Sequence, residues 1–418
     1  MALPGKRVLS GLLIAFAVAA GASAPARPVV AAQPPRPRVV FVNPGMTGEV
    51  FWTLVSKTMQ AAADQFGIDL IIDTAERNRV RMKQLALATI LGSHKPDALV
   101  LVNEEQASVD LLAAADAQGI KVLMLLNDVI GEDRQASGEP GERYRNWLGA
   151  IVPDNRGAGR RMAEALGRFA DAQALTAGDG TGERPVIALY GDTVTPASIE
   201  RNGGLADVLA AGTFGLSLDH ALVADWDAGK AHDLVDRVLK RYARRGARRP
   251  VGVWAANDPM ALGAIRALRE NGFAPGADVG VVGLNWSPEA LGAISQGALL
   301  TSDGGHFFAG AWAMVVLMDY FDGLHLPGAE PTIAFHMHPV DATNVAAFRA
   351  AIGGIIERGA FDEIDFSRFR LGRDGDPASY DFSLGALGAA IAGEDPVFPK
   401  SAFSQQECPD PCALTSAH

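Results

Sequence analysis

The sequence predicts an α/β protein of two lobes, each a doubly wound parallel sheet with helices on both faces. Three observations carry this. Strand-like and helix-like segments alternate strictly from residue 38 onward, and the alternation runs in two series. Several strands are near-continuous apolar runs, such as 98–102 (ALVLV). Such runs suit a parallel sheet covered on both faces, and βα alternation marks a doubly wound fold. Length agrees, because 418 residues exceed the roughly 250–300 that one core sustains.

The first element is an address label. Lys6 and Arg7 precede an apolar run over 8–20, followed by Ala22-Ser23-Ala24, the small-x-small pattern of a signal peptidase site. A signal peptide over 1–24 is expected. Pro25 is refused just after many cuts, so cleavage after Ala26 or Ala32 stays open. The alternatives are a short membrane anchor or a false start. The run is shorter than the roughly 20 apolar residues of a permanent span, and no cysteine near the cut offers a lipid attachment. Residues 26–37, rich in Pro and Ala, read as a linker.

The first series places strands at 38–43, 68–73, 98–103, 122–126 and 147–152, with helices at 51–66, 80–91 and 107–118. Leu54, Val55, Met59, Ala62, Ala63 and Phe66 recur at helical spacing in the first helix, and Gly67 stops it. Asp154 caps a helix at 156–169. The second series has strands at 186–190, 217–224, 251–255 and 279–284, with helices at 198–211, 229–243, 259–271 and 288–296. Asp258-Pro259 reads as a helix cap and first-turn proline. Residues 131–145 and 176–183 are Gly-rich, polar excursions. The second lacks the Gly-Lys-Ser/Thr ending of a phosphate loop.

Composition excludes other classes. The formal net charge is −11, from 37 Lys+Arg against 48 Asp+Glu. A free-standing nucleic-acid binder carries a basic excess, so nucleic acid is not an expected partner. The only cysteines, Cys408 and Cys412, lie in the tail, which excludes thiol chemistry from the body of the protein. A bridge between them, a metal or redox pair, and two free thiols are the open readings. His336 and His338 would share a face of a strand, without an evident third metal ligand.

In open α/β sheets ligands bind beyond the carboxyl ends of the strands. Those ends carry Asn43, Glu49, Phe51 and Trp52; Asn103-Glu104-Glu105; Asn127-Asp128; Gly191-Asp192; Asp225-Trp226-Asp227; Asn257-Asp258; Asn285-Trp286; and the segment 301–306 (TSDGGH). Amides, carboxylates and flat aromatic faces suit a polyhydroxyl ligand, whose hydroxyls need donors and acceptors and whose C–H face stacks on rings. Each residue also has a structural reading: Asn43 as a turn former, Trp52 and Trp226 as core.

Several segments resemble the type I periplasmic sugar-binding proteins, of the ribose- and galactose-binding kind, related to the effector domain of the lactose-repressor family. They are 253–268 (VWAANDPMALGAIRAL), 278–284 (DVGVVGL) with Asn285, 221–230 (ALVADWDAGK), 148–157 (LGAIVPDNRG), 197–205 (ASIERNGGL) and 339–348 (PVDATNVAAF). The resemblance covers about 39–348. It implies two lobes closing on a ligand about a hinge, with residues 39–150 plus about 306–330 in the first lobe and 151–305 plus about 331–349 in the second. Residues 350–418 form an extension of unassigned role, in which Phe361, Ile364, Phe366, Phe369 and Leu371 suggest packing on a lobe.

The site residues it implies are Asn43, Phe51, Trp52, Asn127, Asp128, Arg201, Trp226, Asn257, Asn285, Asp303 and His306. Two cations of the family pattern are missing. Asn127-Asp128 stands where an Asp-Arg pair is usual, and Ile199 where a sugar-gripping Arg precedes Arg201. The expected function is a non-catalytic periplasmic solute-binding protein that passes a carbohydrate-like ligand to the permease of an ABC importer. It would need no cofactor and touch the membrane only through that partner. A sensory receptor for a membrane kinase or chemoreceptor is the alternative. An exported enzyme is a third, for which neither a Gly-x-Ser-x-Gly elbow nor His-Glu-x-x-His appears.

Overall fold

The computed structural model describes residues 36–245, 249–324, 331–371 and 380–392, with Met1, Ala2 and Gly5. Apart from those three residues the expected leader, and both cysteines, fall outside the described residues. Among the described residues no helix is long and apolar enough to cross a membrane.

The first series forms β1 (Arg38–Asn43), α1 (Val50–Phe66), β2 (Asp69–Thr74), α2 (Arg79–Leu91), β3 (Ala98–Leu101), α3 (Val109–Ala117), β4 (Lys121–Leu125), α4 (Gly131–Ser137) and β5 (Trp147–Pro153). The second forms α5 (Asn155–Ala172), β6 (Arg184–Tyr190), α6 (Pro196–Ala211), β7 (Leu216–Val223), α7 (Ala228–Arg245), β8 (Gly252–Ala255), α8 (Asp258–Glu270), β9 (Gly280–Leu284), α9 (Pro288–Ser295) and β10 (Thr301–Gly304). Then come α10 (Ala309–Phe321), β11 (Thr332–Phe335), β12 (His338–Asp341), α11 (Val345–Phe348), α12 (Gly354–Arg358) and α13 (Leu384–Ala392).

Local chemistry explains the boundaries. The apolar stripe of α1 is buried, and Gly67 ends the helix in the left-handed region at φ 70°. Asp154 caps α5 by accepting from Gly157 N at 2.8 Å. The cap of α8 is Asn257, which accepts from Met260 N at 2.9 Å, rather than Asp258. Asp258 is fully buried instead, taking Ser287 N at 2.8 Å and Ser302 Oγ at 2.7 Å. The Arg201-x-x-Gly204 element has a steric reason. A Cβ on Gly204 would stand 2.1 Å from the carbonyl of Arg156, and one on Gly159 would stand 2.2 Å from that of Arg201, so α5 and α6 touch backbone to backbone.

Two six-stranded sheets result, in the orders β2-β1-β3-β4-β5-β11 and β7-β6-β8-β9-β10-β12. All pairs are parallel except β10–β12. Each order reverses direction beside its first strand, the crevice where open sheets take ligands. The two-lobed, doubly wound expectation is met. Two details of chain path differ. The first sheet keeps the chain through Pro153 before it crosses, not only to Ala150. Residues 332–335, placed by the sequence in the second lobe, form β11 and pair with β5 of the first. A four-residue run (TIAF) has no periodicity that reports which sheet it joins. The polar segment 301–304 is a fully buried strand, because its side chains are satisfied by Val340 O, Asp258 and Arg161.

The chain crosses between lobes at Asp154, at Gly305 and at His336-Met337. Arg161 of α5 gathers all three. Its guanidinium donates to Asp303 at 2.8 and 3.1 Å, to the Met337 carbonyl at 2.9 Å and, at 3.5 Å, to Asp154. Burial opposes this charge, but the two carboxylates hold its pKa above the usual value.

Residues 345–371 and 380–391 pack on both lobes. Phe348 meets Trp286 edge-on, with ring centres 4.6 Å apart. Farther on, Phe361 lies against Phe307 and Phe308, and Trp312 takes Phe369 at 4.4 Å and a parallel Phe382 at 4.7 Å. Gln65 of α1 donates to Ile364 O at 2.6 Å and accepts from Phe366 N at 3.0 Å, while Arg370 pairs with Asp319 of α10 at 2.7 Å. Leu371 is only half-buried.

Replacing Arg161 leaves the Asp303 carboxylate, 1% exposed, without its cation. Arg161→Met should lower unfolding stability by about 3 kcal/mol. A urea titration of the ligand-free protein checks this: the midpoint falls and the slope holds.

Candidate functional site

A cavity opens where the carboxyl ends of the two sheets face each other. With the solvent at its mouth it encloses about 490 Å³ of empty space. Each of β1 to β10 is followed by at least one residue that lines it or, for β5, ends in one. The first lobe supplies Glu49, Phe51 and Trp52 after β1, Arg77 after β2, Glu104 after β3, Leu126 and Asn127 after β4, and Pro153 of β5. The second supplies Thr195, Ala197 and Arg201 after β6, Trp226 after β7, Asn257 after β8, Asn285 after β9 and His306 after β10.

Eight of the eleven expected site residues therefore meet in one cavity: Phe51, Trp52, Asn127, Arg201, Trp226, Asn257, Asn285 and His306. The remaining three are buried in structural bonds. Asn43 accepts from Gly45 N at 2.8 Å and donates to Ser56 Oγ at 3.0 Å. Asp128 pairs with Arg134 and accepts from Val129 N at 2.7 Å. Asp303 belongs to Arg161. Short polar side chains at strand ends often serve the adjacent backbone, which separates these three from their neighbours.

The aromatic groups are set by backbone geometry. Trp226 sits at φ 61°, in the left-handed region, and its Nε1 donates to Asp192 at 2.9 Å. A Cβ on Gly191 would stand 2.1 Å from the indole, so only glycine lets the ring lie there. Phe51 stacks on His306 with centres 4.5 Å apart and meets Trp52 edge-on at 5.1 Å. Leu126, Arg77 and Asn285 also have positive φ (64°, 54° and 144°). Strained non-glycine backbone of this kind concentrates at ligand sites.

Two cations enter the cavity. Arg201 is 5% exposed and donates to Asn155 Oδ1 and the Ala256 carbonyl, both at 2.9 Å. Its Nη2 is 3.4 Å from His306 Nε2 and its guanidinium 5.8 Å from the Trp226 ring centre. Burial lowers its pKa to about 10. Burial and Arg201 together hold His306 well below the histidine range, so its imidazole is neutral, and its Nδ1 has no partner. Arg77 is not among the residues that the sequence singles out. It donates to both oxygens of Glu49, one at 3.0 Å, and to Glu104 at 3.2 Å. The signal for it is its place just after β2, obscured because the loop 74–79 (TAERNR) looks like a solvated charge run.

Across the cavity mouth the lobes touch. Asn127 Oδ1 accepts from Ala197 N at 2.9 Å, in the first turn of α6, whose own cap position Thr195 makes no side-chain cap bond. Glu105 N donates to Thr195 Oγ1 at 3.3 Å, and Gln106 Nε2 to Val194 O at 3.0 Å. Asn127 Nδ2 reaches Glu104 at 3.3 Å. His336 lies on the third crossing and pairs with Asp154 at 3.5 Å. Among the described residues no group of three or more His, Cys, Asp and Glu side chains is placed to hold a metal.

Burial pushes Glu104 from 4.5 up to about 7, against the pull of Arg77. A carboxyl raised on folding stabilises fully below its unfolded value, and that contribution is lost as pH rises through the folded value. Ligand-free protein should thus lose on the order of 3 kcal/mol between about pH 4.5 and 7 from this group. Glu104→Gln should flatten that part of the profile. Thermal unfolding at half-unit pH steps checks it.

A family model described as a periplasmic binding protein domain matches residues 39–324. The ribose import binding protein RbsB of Salmonella typhimurium is 28% identical over 250 residues, 60% of this chain and 73% of that protein. The D-ribose/D-allose-binding protein of Pseudomonas aeruginosa is 28% identical over 289 residues, 66% of this chain and 80% of its own. Among solved structures, a periplasmic sugar-binding protein from Pseudomonas fluorescens aligns with a TM-score of 0.72 and 32% identity, covering 84% of this chain and 99% of that one. With a doubly wound sheet in each lobe, three crossings and a cavity at the strand ends, the chain belongs to the periplasmic binding protein family.

Proposed function

We propose that this protein captures a sugar or polyol-like compound between its lobes in the periplasm and hands it to the permease of an ABC importer. The observation that carries this reading is the cavity: three aromatic faces and a ring of amides, carboxylates and guanidinium groups, contributed from the ends of both sheets. Hydroxyl-rich ligands need that mixture of stacking, donors and acceptors. The relatives, whose names say ribose, allose or sugar, support the same class. Phe51, Trp52 and Trp226 stack on the ligand. Asn127, Arg201, Asn257, Asn285 and His306 offer polar contacts. The first lobe runs over 38–153, 309–321 and 332–335, and the second over 155–245, 249–304 and 338–348. The apolar leader over 8–20 supports export.

A thermal-shift screen of the mature protein against sugars, polyols, amino acids and aromatic acids tests the ligand class. Ligand at a hundred times its dissociation constant stabilises by about 2.7 kcal/mol. Sugars or polyols should raise the melting temperature, and a response confined to amino or aromatic acids refutes the reading.

Trp226→Ala removes one stacking face and should abolish binding of any compound found this way, while the urea midpoint of the ligand-free protein stays close to that of the parent. Calorimetric titration together with that midpoint checks both halves. Closure about Asp154, Gly305 and His336-Met337 should appear in small-angle scattering as a smaller radius of gyration at saturating ligand. An unchanged radius would mean that the ligand-free protein is already closed.

A further inference from the structure

Arg77 is held more deliberately than a surface arginine. It and Glu76 are consecutive non-glycine residues in the left-handed region, at φ 54° and 56°. The strained turn is pinned to the β1–α1 loop: Thr47 donates to the Glu76 carboxylate from its backbone N at 3.0 Å and from its hydroxyl, and Arg77 N donates to Pro44 O at 3.0 Å. The guanidinium then enters the cavity between two carboxylates. Three of its five N–H bonds go to Glu49 and Glu104, and its side chain remains 25% exposed. Arg201, the other cation of the cavity, is turned to Asn155 and Ala256 and lies almost wholly buried.

Resting on the sugar or polyol reading above, we propose that Arg77 is a ligand-contacting, specificity-determining residue that selects compounds with two adjacent hydroxyls and no carboxylate. Glu49, Arg77 and Glu104 form a row of acceptor, donor and acceptor. A hydroxyl accepts one hydrogen bond and donates another. Each of two neighbouring hydroxyls can therefore accept from a free Arg77 N–H and donate to the carboxylate on its own side. Above about pH 7, where Glu104 is ionised, a ligand carboxylate has no proton to donate and would face Glu49 and Glu104 with like charge. Glu104 accepts best when ionised, and burial keeps it protonated until about pH 7. The charged groups that act on it are Arg77, Asp192, Glu49, Glu105 and Arg201.

The test is calorimetric titration of the full-length protein, at about pH 8 where Glu104 is ionised, with D-ribose, D-allose, myo-inositol, D-gluconate and D-glucuronate. At least one of the three neutral compounds should bind, and the two acids about 100-fold more weakly or not at all. Arg77→Met should weaken binding of that neutral compound by about 10- to 100-fold, with Arg77→Lys recovering only part of the loss. A purely structural role would not move the pH profile. Here affinity should rise with pH through about 7 in the parent, and the midpoint should move upward in Arg77→Met, because Arg77 lowers the pKa of Glu104. Circular dichroism and the urea midpoint confirm that the variant is folded. If Arg77→Met unfolds, Glu104→Gln serves instead and should weaken neutral binding and abolish its pH dependence. Unaltered affinity in a folded variant, or acids bound as well as neutral compounds, overturns the inference while leaving the sugar reading intact. No binding of any neutral compound removes the sugar reading and this inference together.

Discussion

The geometry between the lobes depends on the Arg161 guanidinium. Three strands of chain pass between the sheets, and one planar fork with five donors meets a residue from each. Asp303, at the end of the buried strand β10, would be an isolated charge without it. A buried carboxylate is tolerated only when paired and hydrogen-bonded. The ion pair therefore permits a buried polar strand inside the second sheet, next to its edge strand β12, and also fixes where the chain leaves that sheet. The cavity lies beyond those same strand ends, so its lining inherits whatever rigidity Arg161 imposes.

Much of this is legible in the amino-acid letters. Apolar runs and helical spacing report backbone period directly, which is why β1 and the αβ alternation stand out in the sequence. Position at a strand end also locates Phe51, Trp52, Trp226, Asn257 and Asn285, because a doubly wound sheet delivers such residues to one crevice. What stays hidden turns on direction and partnership. Asn43 ends β1 and Asn127 follows β4 by two residues, yet one side chain folds back on its own loop and the other reaches the opposite lobe. Arg77 depends on a left-handed turn that charged residues rarely signal. The strand over 301–304 hides behind polar letters whose partners lie far along the chain. The extra strand β11 hides because four residues cannot show a period.

The contact between Asn127 and α6 ties helix chemistry to lobe position. A helix begins with N–H groups that have no partner within the helix, and a side chain at the cap position usually takes one. In α6 that service comes from the other lobe. Glu104 and Arg77 stand behind the same asparagine, so the polar lining of the first lobe connects by hydrogen bonds to the backbone of the second. Lining the cavity and bridging it are tasks of one side chain.

The pairing of β11 with β5 has a bearing on how the chain assembles. The last strand of the first sheet is synthesised only after nearly all of the second lobe. Neither lobe is a continuous stretch, and the first cannot be completed while its chain is still emerging. Contacts so distant in sequence slow folding, and they expose an unfinished sheet edge in the meantime. For a chain proposed to be exported this order has a benefit: the unfinished first sheet delays compaction, which keeps the polypeptide in a form that can still be threaded through a membrane.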